Sequence, residues 1–240
     1  MRGMKGFLLA ALLPLAAGAQ ELHVLSGGAA KSLVEPLAAS FPGGKVNVQF
    51  QPMAKLFESL EQGANVDLVV VTEEMLPRLQ GRAQQGAKPI ARVGIGVAVN
   101  ERAPSPDIST VEAFKKTLLA AKSIVYIDPK VGTSGKYVAE VLNKLGIADE
   151  INKKARLGQG GYIVEPVGRG EIELGIHQVS EIMPVKGVKL VGELPRELQK
   201  YTTYVAVPVK PSRTALDFID YLTGPQAKSR LAQAGYTAPE

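Results

Sequence analysis

Between Asp67 and Thr72 the chain reads Leu68-Val69-Val70-Val71, four apolar residues in a row with no polar alternation. A strand with one face in water alternates, whereas a run of this kind reads as a strand buried on both faces. The flanking sequence agrees with a sheet covered by helices. Leu22–Leu25 is a short β-prone run that ends at the turn signal Ser26-Gly27-Gly28. Ala30, Leu33, Val34, Leu37 and Phe41 then recur at helical spacing, with Pro36 expected to kink that helix. Val46–Phe50 alternates with period two, and Leu56 and Leu60 carry a second helix to Gly63. Strand, helix, strand, helix, strand is the pattern of βαβ units on a mostly parallel sheet.

A second block follows. Val93–Val99 is a long β-prone run, followed by the loop Ala103-Pro104-Ser105-Pro106. Thr110 stands where a side-chain oxygen caps a helix carrying Val111, Phe114 and Leu118. Ser123–Ile127 reads as a strand running into Asp128-Pro129, with a helix over Lys136–Leu145 beyond it. Leu174–Ile176 and Val188–Val191 are short strands, Tyr201–Val207 a longer one, and helices over Thr214–Leu222 and Pro225–Ala234 close the chain. The expected architecture is α/β, two lobes of mixed, mostly parallel sheet flanked by helices. Lobe 1 takes residues 20–97 plus 200–240 and lobe 2 takes residues 98–199, with links near 98–100 and 198–202.

The N-terminus and the composition narrow the function classes. Arg2 and Lys5 precede the apolar run Phe7–Ala17, and Ala17-Gly18-Ala19 has the small-x-small form of a cleavage site. Residues 1–19 therefore read as a secretory signal peptide, too short for a membrane span of roughly 20 residues. Gln20 is the expected new N-terminus and the periplasm the expected compartment. The sequence has no cysteine, which removes disulfides, thiolate metal sites, thiol catalysis and a lipid-anchored N-terminus. The formal net charge is +5, and Arg2 and Lys5 carry two of those charges. The modest remainder favours an anionic ligand. Tryptophan is absent and the basic residues are scattered, which argues against nucleic acid.

Three stretches carry a resemblance: Leu22-His23-Val24-Leu25-Ser26-Gly27-Gly28-Ala29, then Gly63-Ala64-Asn65-Val66-Asp67-Leu68-Val69-Val70, then Asp128-Pro129 with Gly135-Lys136-Tyr137. With the tail Phe218-Ile219-Asp220-Tyr221-Leu222-Thr223-Gly224-Pro225-Gln226-Ala227, the chain resembles the molybdate-binding proteins of ABC transporters. Those are type II periplasmic binding proteins. The resemblance implies a two-lobed clamp that works as a monomer without a cofactor, binds a small anion and delivers it to a membrane permease. It also implies three side-chain hydroxyls on the oxyanion, and here those positions hold Ala29, Met53 and Gln178. A tetrahedral oxyanion would lose about three donors, each worth roughly 1 kcal/mol. An organic carboxylate is therefore favoured over molybdate, since a carbon skeleton can pack on Met53.

The expected ligand-binding residues are Ser26, Gly27 and Gly28 after the first strand, Met53 and Lys55 at the second helix, and Thr133 and Ser134 before the Lys136 helix. Gly160 and Gly161 join them through a backbone open to a ligand, and His177 and Gln178 through the end of a strand. Other motifs fail. Gly132–Lys136 lacks the spacing of a phosphate loop, because Lys130 and Tyr137 stand where the first Gly and the Ser/Thr belong. Ser180, Glu181 and His177 show no nucleophile elbow, and two distant histidines make no metal site. A rival reading is an aconitate-isomerase-like enzyme on the same fold, with His177 as base and Lys55 as carboxylate anchor.

Overall fold

The computed structural model describes residues 21–79, 81–83 and 85–239; the expected signal peptide and the new N-terminus at Gln20 lie outside them. The chain begins β1 (Leu22–Gly27), α1 (Lys31–Ala39), β2 (Val46–Gln51), α2 (Met53–Glu61), β3 (Leu68–Thr72) and β4 (Lys88–Asn100). It continues α3 (Val111–Ala120), β5 (Ile124–Ile127), α4 (Thr133–Lys144), α5 (Ala148–Asn152), β6 (Ala155–Gly158), α6 (Glu165–Gly168) and β7 (Leu174–Gln178). It ends α7 (Val179–Ile182), β8 (Val188–Glu193), β9 (Tyr201–Pro208), α8 (Arg213–Thr223) and α9 (Pro225–Lys228). Among the described residues no helix is long and apolar enough to cross a membrane.

The strands lie in the order β2-β1-β3-β9-β4-β7-β5-β6, with β8 also on β4. β1 runs parallel to β2 and β3, and β5 runs parallel to β6 and β7. Every residue of β3 is buried, as its uninterrupted apolar run requires. The edge strand β2 alternates Val46, Val48 and Phe50 with Asn47 and Gln49 and is mostly half-buried. The helix α1 forms despite Pro36 and buries Leu33, Val34 and Leu37 completely. Each such side chain contributes roughly 1.5–3 kcal/mol through its removal from water. Thr110 and Ser212 cap α3 and α8 as side-chain acceptors.

The long strand β4 belongs to both halves of the sheet. Lys88–Gly94 pairs with β9, while Ile95–Val99 pairs with β7 and Gly96–Asn100 with β8. At the change of partner the side chain of Gln199 replaces a strand: it accepts from the Ile95 N–H at 3.3 Å and donates to the Ile95 carbonyl at 3.1 Å. One hydrophobic core surrounds β1, β3 and β9, and two more cover the two faces of the β4-β7-β5 half. Along β4 the pairing changes between Gly94 and Ile95.

Three local expectations are corrected. Ser26 and Gly27 are still strand rather than turn, and a Cβ on Gly27 would run into the Met53 and Tyr204 side chains. The helix expected from Lys136 begins at Thr133, because Gly135 packs against the Ile127 carbonyl more closely than any Cβ allows. The terminal helix over Pro225–Ala234 stops at Lys228, and a 3-10 turn at Ala232–Ala234 ends in left-handed Gly235 (φ +82°). That reversal buries Tyr236, whose hydroxyl donates to the Ala29 carbonyl at 2.5 Å.

Candidate ligand-binding site

A cavity of about 220 Å³ opens beyond the ends of β1, β2, β5, β6 and β7. Ligands of open α/β sheets sit at the carboxyl ends of parallel strands, because the loops and helix starts converge there. The 3-10 turn Gly28–Ala30 comes from β1, Gln51–Met53 from β2, Val131–Ser134 from β5, Gly160–Tyr162 from β6, and His177, Gln178 and Glu181 from β7 and α7. Lys31, Phe50, Ile127 and Tyr204 complete the lining.

Helix starts set the electrostatics. The 3-10 turn at Gly28, α2 and α4 all begin at the lining with no side-chain cap and no acid in the first turn. The helices α3 and α8, of similar length to α4 but starting elsewhere, are both capped. Uncapped first turns leave amide donors free and carry the positive end of the helix dipole, so they suit an anion. Thr133 and Ser134 add two hydroxyls at the start of α4. Among the described residues Lys31 is the one lysine or arginine of the lining. It opens α1, where a cation opposes the dipole, and its ammonium sits 5.7 Å from the Tyr162 ring centre and 5.8 Å from that of Phe50.

The remaining wall is apolar or internally paired. Ala29, Phe50, Pro52, Met53, Ile127 and Val131 give it a hydrocarbon surface. The Gln178 amide is engaged: Oε1 accepts from the Tyr204 hydroxyl at 3.3 Å and Nε2 donates to Thr202 Oγ1 at 3.4 Å. Gly160 (φ +123°) and Gly161 (φ +70°) hold a backbone shape that other residues rarely adopt. A Cβ on Gly160 would lie 2.8 Å from Pro52 Cγ, so the two halves of the sheet meet there across the cavity.

His177 and Glu181 form a buried pair, with Nε2 3.0 Å from Glu181 Oε2. Nε2 also lies 3.1 Å from the Gly161 carbonyl, which can only accept, so Nε2 carries the proton. Nδ1 is buried without a partner. A doubly protonated ring would leave that N–H unpaired, and burial accordingly lowers the His177 pKa to about 4. Burial raises Glu181 to about 8. The contact is thus between a neutral ring and a carboxylic acid near neutral pH, not an ion pair.

Of the expected residues, Gly28, Met53, Thr133, Ser134, Gly160, Gly161, His177 and Gln178 line the cavity. Ser26, Gly27 and Lys55 do not. Ser26 is fully buried and donates to the Gly27 carbonyl at 3.1 Å. Lys55 faces solvent, because the buried stripe of α2 runs through Met53, Leu56, Phe57 and Leu60. The lysine at the lining is Lys31 instead. Ser180 donates to the Ala29 carbonyl at 2.8 Å and makes no triad with His177. Sequence reasoning missed Lys31, Tyr162, Tyr204 and Glu181. Glu181 alone carried a signal, four residues after His177 in the turn that follows a strand. Among the described residues no cluster of metal-ligating side chains occurs.

Residues 22–237 match the family described as bacterial extracellular solute-binding protein. The chain is 30% identical to the aconitate isomerase of Pseudomonas sp. over 247 residues, covering 96% of this chain and 93% of that protein. It is 27% identical to the molybdate-binding protein ModA of Escherichia coli (strain K12), covering 90% of this chain and 89% of that one. The solved periplasmic molybdate-binding protein of Azotobacter vinelandii shares the fold at a TM-score of 0.75 and 20% identity, over 91% of this chain and all of that one (100%). That likeness bears out the type II periplasmic-binding-protein architecture. The chain belongs to the bacterial extracellular solute-binding proteins.

Proposed function

We propose that this protein captures a small organic carboxylate in the cavity and hands it to the membrane permease of an ABC transporter. Export by residues 1–19 to the periplasm and a monomeric state belong to the same reading. The observation that carries it is the mixed character of the lining. Uncapped helix starts, Thr133, Ser134 and Lys31 supply donors and positive potential, while Ala29, Phe50, Pro52 and Met53 supply hydrocarbon. A tetrahedral oxyanion uses the first set and gains nothing from the second. A carboxylate with a short carbon chain uses both, and about 220 Å³ admits a solute of that size.

A thermal-shift panel of molybdate, sulfate, succinate and citrate on the full exported protein tests the reading. A ligand at a hundred times its Kd stabilises the native state by about 2.7 kcal/mol. A shift with a carboxylate is expected; a shift with molybdate alone would overturn the reading.

A second reading rests on the Glu181–His177 pair. A buried carboxyl with a pKa near neutrality, at the wall of a cavity that gathers anions, has the properties of a proton donor and acceptor. The aconitate isomerase relative supports an isomerase on this site. NMR of aconitate incubated with the protein separates the two: the carrier leaves the spectrum of excess aconitate unchanged, and the enzyme converts it.

A further inference from the structure

The cavity that gathers anions has a glutamate in its wall. Glu181 is buried at 7% exposure, and its Oε1 lies beside Gly28, where a Cβ would stand 3.3 Å from it. Gly28 opens the 3-10 turn that aims amides at the same cavity. An ionised carboxylate there would repel any anion the helix starts attract. The groups that face it do not offset such a charge. His177 on β7 directs Nε2–H at the Gly161 carbonyl, and its partnerless Nδ1 keeps the ring neutral. Tyr204 on β9, Tyr236 in the C-terminal tail and Tyr162 beside the cavity all interact with Glu181, and burial raises each phenol above its ordinary pKa, so all three stay neutral. Lys31 on α1 pairs with Glu35 at 3.8 Å and has no ion contact with Glu181. The polar atom nearest the Glu181 carboxyl is His177 Nε2, 3.0 Å from Oε2, and it belongs to a neutral ring.

We propose that Glu181 meets the ligand as a neutral carboxylic acid, donating its O–H to an oxygen of the bound anion, so that capture is linked to one protein-held proton. The inference rests on the carboxylate-capture reading and adds the residue that fixes which protonation state of the protein binds. Oε2 faces His177, which leaves Oε1, on the Gly28 side, to carry the proton. A hydrogen bond from a carboxylic acid to a carboxylate is charge-assisted and short, roughly twice as strong as a neutral one. It turns the acid in the wall from a repulsive group into a ligand donor. Once Glu181 ionises, the donor is lost and a negative charge takes its place.

Two measurements on the full protein test this. Carboxyl-carbon NMR of glutamate-labelled protein should show one carboxyl, absent in Glu181→Gln, that is protonated at neutral pH and titrates near pH 8. Calorimetric titration with succinate, fully ionised from about pH 7 upward, should show affinity falling about tenfold per pH unit above that titration. Glu181→Gln keeps a donor in place and should bind succinate without that fall. A Glu181 carboxyl already ionised at pH 7 overturns the proposal, as does the same pH dependence persisting in Glu181→Gln, which would assign it to another group. Wild-type spectra alone overturn the proposal, whether or not the variant folds or succinate binds, if every glutamate carboxyl is ionised at pH 7. Failure of the carboxylate reading appears separately, as absent binding heat.

Discussion

A glutamate held protonated in the folded chain releases its proton when the chain unfolds, and the buried His177 does the converse. Glu181 rises from 4.5 to about 8, so its contribution is full below pH 4.5 and is lost as pH climbs toward 8. His177 falls from 6.5 to about 4, so its contribution is full above pH 6.5 and is lost as pH drops toward 4. Between 4.5 and 6.5 the two slopes oppose. From 6.5 to 8 Glu181 acts alone, and stability should fall by up to about 1.4 kcal/mol per pH unit. Urea unfolding across that window should show the decline in wild type and its absence in Glu181→Gln; equal curves would place the titration elsewhere. Gly160 gives a second prediction. Gly160→Ala meets both a left-handed backbone (φ +123°) and Pro52, whereas Gly161→Ala meets the backbone constraint alone (φ +70°, open space). Strain of about 1–2 kcal/mol is expected from the backbone in each. Only Gly160→Ala should also weaken ligand binding, since its methyl group holds the two walls of the cavity apart; matching ligand titrations of the two variants check this.

At the scale of elements, strands with a clear burial signature were legible and helix boundaries at the cavity were not. The run Leu68–Val71 and the alternation of Val46–Phe50 gave β3 and β2 directly, because burial on two faces or one leaves a period in the sequence. The helices α5, α6 and α7 have five residues or fewer and offer no period to read. The start of α4 was displaced by three residues because a close approach of Gly135 to β5, a tertiary contact, decides it. Gln199 shows another tertiary decision. It lies outside every strand yet completes the ladder at Ile95, where β4 changes partner. Gln199→Ala should leave that N–H without its acceptor and cost roughly 1 kcal/mol. Faster amide exchange at Ile95, measured by NMR, is the local sign; unchanged exchange there would deny Gln199 the role.

For the whole molecule, the order of strands and helices and the family resemblance together pointed to the architecture that the structure has. The cavity was legible where glycine-rich loops or strand ends lie beside it, as at Gly28, Thr133–Ser134, Gly160–Gly161 and His177–Gln178. It was illegible where a side chain reaches it from a face that sequence spacing cannot orient. Lys31 rather than Lys55 is such a case, since both lie in the first turn of a helix and their place around its axis decides which one reaches the cavity. The central claim is that this lining serves a carbon skeleton with charged ends better than a compact dianion. Calorimetric titration of the unliganded protein with molybdate and with citrate tests it most directly. The account predicts that citrate binds at least tenfold more tightly than molybdate, a gap of about 1.4 kcal/mol; submicromolar molybdate binding with no heat from citrate would contradict it.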